Sequence, residues 1–219
     1  MFRGLFDLDT PLWHALGRVA DIVLLNLLAL LTSIPLVTVG ASLTALYDCA
    51  RRIQSDTGGG TTAMYFTSFR SNLGRSTVLL AVLAPLGAAL ARSWMVAPVP
   101  GLLPARIGLS LAYLLVFPYV WALQARFDNP PWRTLRNAVV LAFARLPLSL
   151  AVLGIHLALG TLVVLVALHL PQGLFLLVLL GYPLAVFAVT PLLERALAPL
   201  LTQGVDTATT SSVERNTWG

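Results

Sequence analysis

The sequence predicts an all-α, polytopic membrane protein with about five transmembrane helices. Of its 219 residues, 58% are hydrophobic and 11% are charged, whereas a soluble domain has about 25% charged residues. Residues 19–46 carry a single charge, Asp21, and a run of that length is long enough to cross a bilayer. Four further apolar runs follow, each separated from the next by a polar or proline-rich connection.

These runs predict one helical membrane domain over residues 1–201. The predicted spans are 16–34, 76–97, 105–125, 147–169 and 174–194. Residues 202–219 are rich in Thr, Ser, Asp and Asn, and we predict that they form a disordered tail.

The first apolar segment contains a break. Pro35 removes a backbone donor and Gly40 is permissive, so a kink followed by a short second helix is expected. For residues 36–47 an interfacial helix, a kinked extension of the first span and a re-entrant segment all remain open.

The basic residues indicate orientation rather than nucleic-acid binding. All 14 are arginine and the net charge is +5, but they fall between the apolar runs instead of along one face. With five spans, ten arginines lie on one side and four on the other. The positive-inside rule then predicts an outer N-terminus and a cytoplasmic C-terminus. A re-entrant segment over 36–47 would instead bring the N-terminus to the cytoplasm.

The third connection is predicted to contain a cytoplasmic amphipathic helix over 132–143. An apolar stripe through Trp132, Leu135, Val139 and Ala142/Phe143 would lie opposite Arg133, Arg136 and Asn137. Such a helix could pack on the bundle, dock a partner or hold anionic lipid headgroups. The candidate docking residues are Trp132, Arg133, Arg136 and Arg145.

Three polar residues are the candidates for function within the membrane: Asp21, Asn26 and His156. Ionisable groups in spans are often functional, but each of these has a structural alternative. Asp21 could pair with Arg18 at the membrane boundary, and Asn26 and His156 could bond to neighbouring helices.

No catalytic or cofactor motif is apparent in the sequence. Cys49 is the only cysteine, which excludes a cysteine-cage metal site. The 13 residues from His156 to His169 do not match a local ligand pattern. We therefore expect neither a catalytic site, a metal site nor a cofactor, and we expect that the protein is not an enzyme.

Several short segments resemble the YesL family of bacterial integral membrane proteins, whose biochemical activity is unassigned. The segments are Asp21-Ile-Val-Leu-Leu-Asn26-Leu-Leu, Ser33-Ile-Pro35-Leu-Val-Thr38-Val-Gly40-Ala-Ser42-Leu-Thr-Ala45-Leu-Tyr47, Phe66-Thr-Ser-Phe69-Arg-Ser-Asn72, Arg126-Phe-Asp128-Asn129 and Leu135-Arg-Asn137-Ala. The resemblance implies a bacterial inner-membrane protein linked to carbohydrate uptake of the ABC type, with sugar-permease subunits as partners. The alternative is a small transporter or channel that acts as a homo-oligomer.

Overall fold

Seven α-helices make up the computed structural model, which describes residues 11–57, 59–96 and 101–216, with side chains given up to residue 199 from residue 17 onwards. In these ranges the chain has helices and turns but no strand. The helices are α1 (Pro11–Ser33), α2 (Val39–Gln54), α3 (Thr61–Met95), α4 (Leu103–Arg126), α5 (Pro131–Ala144), α6 (Leu146–His169) and α7 (Leu174–Asn216). Single 3₁₀ turns at Leu36–Thr38 and Pro171–Gly173 connect α1 to α2 and α6 to α7.

Four segments are long and apolar enough to cross a membrane: α3, α4, α6 and the stretch Pro171–Pro199, which contains the first part of α7. Because a bilayer core requires about 20 apolar residues, the chain is a multi-pass helical membrane protein. These segments lie where the second to fifth spans are predicted, and α1 overlaps the first.

The predicted break lies at Pro35. Its backbone is extended, with ψ of 112°, and the Thr38 amide donates to its carbonyl over 2.9 Å to close the 3₁₀ turn. The chain then reverses, as shown by the Ser42 hydroxyl on α2, which donates to the Ala29 carbonyl on α1 over 2.9 Å. Helices α1 and α2 therefore form an antiparallel hairpin.

Helix α2 lies at the centre of the molecule. All but one of its residues from Gly40 to Ala50 are buried, and it contacts α1, α3, α4 and α7. At Gly40 a Cβ atom would lie 2.5 Å from the Ser76 carbonyl oxygen of α3. The Thr44 and Ser76 hydroxyls are 2.9 Å apart. Small and hydroxylated residues thus bring α2 and α3 close together, as is common between membrane helices.

Two segments differ from the sequence-based expectations. Helix α3 begins at Thr61, so the polar residues 61–75 belong to the same helix as the second span. Helix α7 continues to Asn216, through most of the tail predicted to be disordered, and 217–219 lie outside the described residues. The Thr- and Ser-rich composition of 202–216 does not favour helix, and nothing else in the structure explains this extension.

Candidate functional site

Asn26 connects α1 to a proline break in α7. Its side chain is 3% exposed, and Nδ2 donates to the Val178 carbonyl over 2.6 Å and also to the Leu179 carbonyl. Pro183 lies four residues after Leu179 and has no N–H, so the Leu179 carbonyl lacks its helical donor. The Asn26 amide supplies the missing donor inside an apolar bundle, where water cannot do so.

The same arrangement occurs one break further along α7. Gln54, the last residue of α2, donates from Nε2 to the Phe187 carbonyl over 2.7 Å. Pro191 lies four residues after Phe187 and likewise leaves that carbonyl without a helical donor. Side-chain amides from α1 and from α2 therefore donate to the two carbonyls of α7 that Pro183 and Pro191 leave without a helical donor. Gln54 was not a sequence candidate, although the four-residue offset from each proline identifies the carbonyls that need a donor.

His156 lies on α6, and one of its two ring nitrogens forms a hydrogen bond within the same helix. Its Nδ1 is 2.9 Å from the Val152 carbonyl oxygen, and because a carbonyl only accepts, Nδ1 carries the proton. In the neutral imidazole, Nε2 is then an acceptor. Within the described residues Nε2 has no hydrogen-bond partner. The Tyr182 ring of α7 lies beside it, with 6.4 Å between the ring centroids.

Asn26 and His156 line one cleft. It has a volume of about 530 Å³ and lies between the α1–α2 hairpin on one side and α6 and α7 on the other. Its other polar lining residues are Ser33, Ser42 and Tyr182, and the remaining walls are apolar. The cleft is within the usual size range of a small-molecule site.

Asp21 does not line this cleft. Its Oδ1 accepts a hydrogen bond from the Thr61 hydroxyl over 2.6 Å, so its partner is the first residue of α3. The expected pairing with Arg18 is therefore replaced by a bond between helices. This bond also brings the first half of α1 next to the connection that joins α2 to α3.

A hydroxyl cluster beside the cleft was not expected from the sequence. The Tyr65 hydroxyl lies 2.6 Å from Thr32 Oγ1 and 2.9 Å from Ser42 Oγ. These three residues belong to α3, α1 and α2, and Tyr65 is fully buried. The cluster therefore joins α1, α2 and α3. Its members are 10 to 33 residues apart, so no local pattern indicates it.

The candidate docking residues lie on the outside of α5. Trp132, Arg133, Arg136 and Arg145 are all exposed. The buried residues of this helix are Thr134, Ala138, Leu141 and Ala142. The packed face therefore matches the predicted stripe only in part. Ala142 is buried and Leu135 packs against the core, whereas Trp132, Val139 and Phe143 are exposed. The Thr134 hydroxyl donates to Gln124 Oε1 of α4 over 3.3 Å.

Several of the arginines form ion pairs, either within one helix or between segments. The Asp48 carboxylate is 2.7 Å from Arg51 and 3.0 Å from Arg52 at the C-terminal end of α2. Arg75 pairs with Asp128, which follows α4. Across the ranges that the structure describes, no three His, Cys, Asp or Glu side chains come together in a way that could hold a metal ion.

Comparison with known proteins gives a match for the first part of the chain only. No curated protein and no solved structure matches the sequence. A family described as "Protein of unknown function, DUF624" matches residues 22–94 of the 219. The match covers the second half of α1, all of α2 and nearly all of α3, and therefore includes Asn26, Gly40 and the hydroxyl cluster. Over these helices the chain is similar to an uncharacterised family.

Proposed function

We propose that the protein is a non-enzymatic accessory component of the bacterial inner membrane, which docks a sugar-permease subunit of an ABC-type uptake system. The carbohydrate link rests on the resemblance to the YesL family alone. The docking part of the proposal is supported by α5. This helix packs through Thr134, Ala138, Leu141 and Ala142 and leaves its two aromatic side chains, Trp132 and Phe143, exposed.

The outer face of α5 combines apolar and cationic side chains. Trp132 is 73% exposed, and Val140 and Phe143 are 57% and 51% exposed. Arg136 lies one turn from Trp132 and one turn from Val140 on the same side. Aromatic residues and arginine are enriched at the centres of protein interfaces. This exposed face is the single observation that carries the proposal.

Affinity purification of the tagged protein from its own cells in a mild detergent, followed by mass spectrometry, tests the proposal. We expect a stoichiometric permease subunit that is lost when Arg133 and Arg136 are both changed to Ala. The matched control changes Arg92 and Arg106 to Ala, because these arginines lie at the opposite ends of their spans. Recovery of a homo-oligomer without a permease would contradict the accessory role.

A small transporter or channel that acts as a homo-oligomer is the second candidate. It is supported by the cleft, which brings Asn26 and His156 together within the bundle. In reconstituted vesicles the His156→Ala variant should change flux, whereas the His169→Ala variant should not. Equal flux through both variants and the unaltered protein would count against transport through the cleft.

We also propose that both termini face the cytoplasm. The hairpin form of α1 and α2, with Asp21 bonded to Thr61, supports the re-entrant alternative over an outer N-terminus. α1 would supply the fifth apolar segment, since Leu27 and Leu31 on its surface are 49% and 61% exposed, and α2 would return. Among arginines with described side chains, this topology assigns ten to the cytoplasmic side and leaves Arg92 and Arg106 on the other, which agrees with the positive-inside rule.

Single cysteines introduced into a Cys49→Ser background test this topology. A cysteine in place of Gly59, in the α2–α3 connection, and one in place of Gly17 should both be shielded from an impermeant thiol reagent in intact cells. A cysteine in place of Leu102, which is exposed between α3 and α4, should react. Labelling at position 17 but not at position 59 would support the outer N-terminus instead.

A further inference from the structure

The cleft between the α1–α2 hairpin and α6–α7 opens onto the apolar lateral surface of the bundle. Three of its lining residues belong to that surface: Leu30, Val163 and Val178 are 45%, 38% and 59% exposed. In a multi-pass membrane protein this surface faces lipid. A molecule that enters the cleft between these residues therefore comes from the bilayer and must be soluble in it.

Two acceptor atoms in the cleft, one on Asn26 and one on His156, have no donor among the described residues. Asn26 uses Nδ2 for two carbonyls of α7, and no donor within the described residues reaches its Oδ1. His156 uses Nδ1 for the Val152 carbonyl, which leaves Nε2 as an acceptor in the neutral ring. Acceptors in a cleft with mostly apolar walls, within the membrane, carry a free-energy cost until a donor reaches them.

The walls of the cleft also determine the charge of its ligand. None of the lining residues is an aspartate, glutamate, lysine or arginine. A charged headgroup would lose its hydration there without an opposite charge to replace it. The site therefore favours a neutral molecule with a donor at one end and an apolar body at the other.

We propose that the cleft binds a neutral lipid whose headgroup carries hydroxyl donors, of the monoacylglycerol or long-chain alcohol type. The hydroxyls would donate to His156 Nε2 and Asn26 Oδ1, and the chain would lie against Leu30, Leu159 and Val163. This binding does not depend on the docking of a permease by α5. It assigns a ligand class to a part of the molecule that the accessory role does not use.

Direct binding to the purified full-length protein in detergent tests this proposal, with radiolabelled 1-monooleoylglycerol as the probe. Methyl oleate is the matched ligand, because it has a similar chain and no hydroxyl. We expect it to bind about fivefold or more weakly than the monoacylglycerol, as two neutral hydrogen bonds are lost. Phosphatidylglycerol should not displace the probe.

The His156→Phe variant tests the site itself, and His169→Phe, at the far end of the same helix, is the control. In His156→Phe the affinity for the monoacylglycerol should fall about fivefold or more and approach that for methyl oleate. Equal affinities of the unaltered protein for the two ligands would overturn the proposal, whether or not the variant folds. Displacement by phosphatidylglycerol, or an unchanged affinity in a folded His156→Phe variant, would also overturn it.

Discussion

The hydrogen bond from Asn26 to the Leu179 carbonyl makes a quantitative prediction about stability. The perturbation is Asn26→Leu, which keeps the approximate volume of the side chain but removes the amide. The Val178 carbonyl retains its own helical donor, the amide of Tyr182. The Leu179 carbonyl does not, because the residue four positions later is Pro183.

The magnitude follows from that difference. Leaving a buried acceptor without a donor costs about 1–3 kcal/mol, whereas the average hydrogen bond between membrane helices contributes only about 0.6 kcal/mol. Asn26→Leu should therefore lower the free energy of unfolding by about 1–3 kcal/mol. In a chain of this size each kcal/mol corresponds to a fall in Tm of about 2–4 °C.

A double-mutant cycle with Pro183→Ala isolates the proposed cause. Alanine restores the backbone N–H that donates to Leu179, so the Asn26 amide is no longer required there. The loss caused by Asn26→Leu should then shrink by about 1 kcal/mol. Leu27→Ala, on the exposed side of the same helix, is the control for general effects of substitution in α1. It should lower the free energy of unfolding less than Asn26→Leu does in the protein with Pro183.

Reversible unfolding of the purified protein in mixed micelles, followed by tryptophan fluorescence, provides the assay. If Asn26→Leu destabilises the protein equally with proline and with alanine at position 183, the carbonyl that proline frees is not the reason for the loss. An Asn26→Leu variant as stable as the unaltered protein would refute the reasoning entirely.

Three further predictions concern the hairpin and its neighbours. Gly40→Ala should destabilise the protein by about 1–3 kcal/mol in the same assay, because the added Cβ would lie 2.5 Å from the Ser76 carbonyl oxygen. The control is Gly154→Ala, where the added Cβ would have no atom within 4 Å, and it should be neutral or slightly stabilising. Equal losses of stability in the two variants would contradict the packing argument. Tyr65→Phe removes the hydroxyl that contacts α1 and α2 and should cost about 1 kcal/mol, so an unchanged Tm would mean that the hydroxyl cluster adds no stability. Cys49 is fully buried, so its thiol should resist a maleimide in mild detergent but react with it in SDS, as measured by the mass of the labelled protein. Rapid labelling in mild detergent would be inconsistent with a buried α2.

The sequence predicted the helices that face lipid better than their contacts. The runs that became α4 and α6 could be located from composition, because lipid-exposed helices must be apolar along most of their length. The face that α5 buries could not be predicted in this way. The stripe through Trp132 and Val139 has helical periodicity, but an apolar stripe can pack on the bundle or remain exposed for a partner or for lipid. Periodicity therefore does not determine which side packs.

The site was predicted in part, and the reason is the range of the contacts. Asn26 and His156 were identified as polar residues in apolar runs, and both line the cleft. Gln54 was missed because it lies at a helix end among polar neighbours, and its partner is 133 residues away. Pro191 lies within the predicted fifth span, but nothing near it in the sequence shows which distant residue donates to the carbonyl that it leaves free.

The position of α2 follows from the absence of a hydrophobic driving force between helices in lipid. A helix at the centre of such a bundle gains little from being apolar, since lipid tails solvate apolar side chains equally well. It gains from small residues that allow close contact and from polar groups that bond to neighbours. Helix α2 has both, with Gly40 against Ser76 and buried Ser42 and Thr44 bonded to other helices. The apolar run 19–46 contains only the first half of α2, so a search for such runs does not show that α1, α3, α4 and α7 all contact this helix.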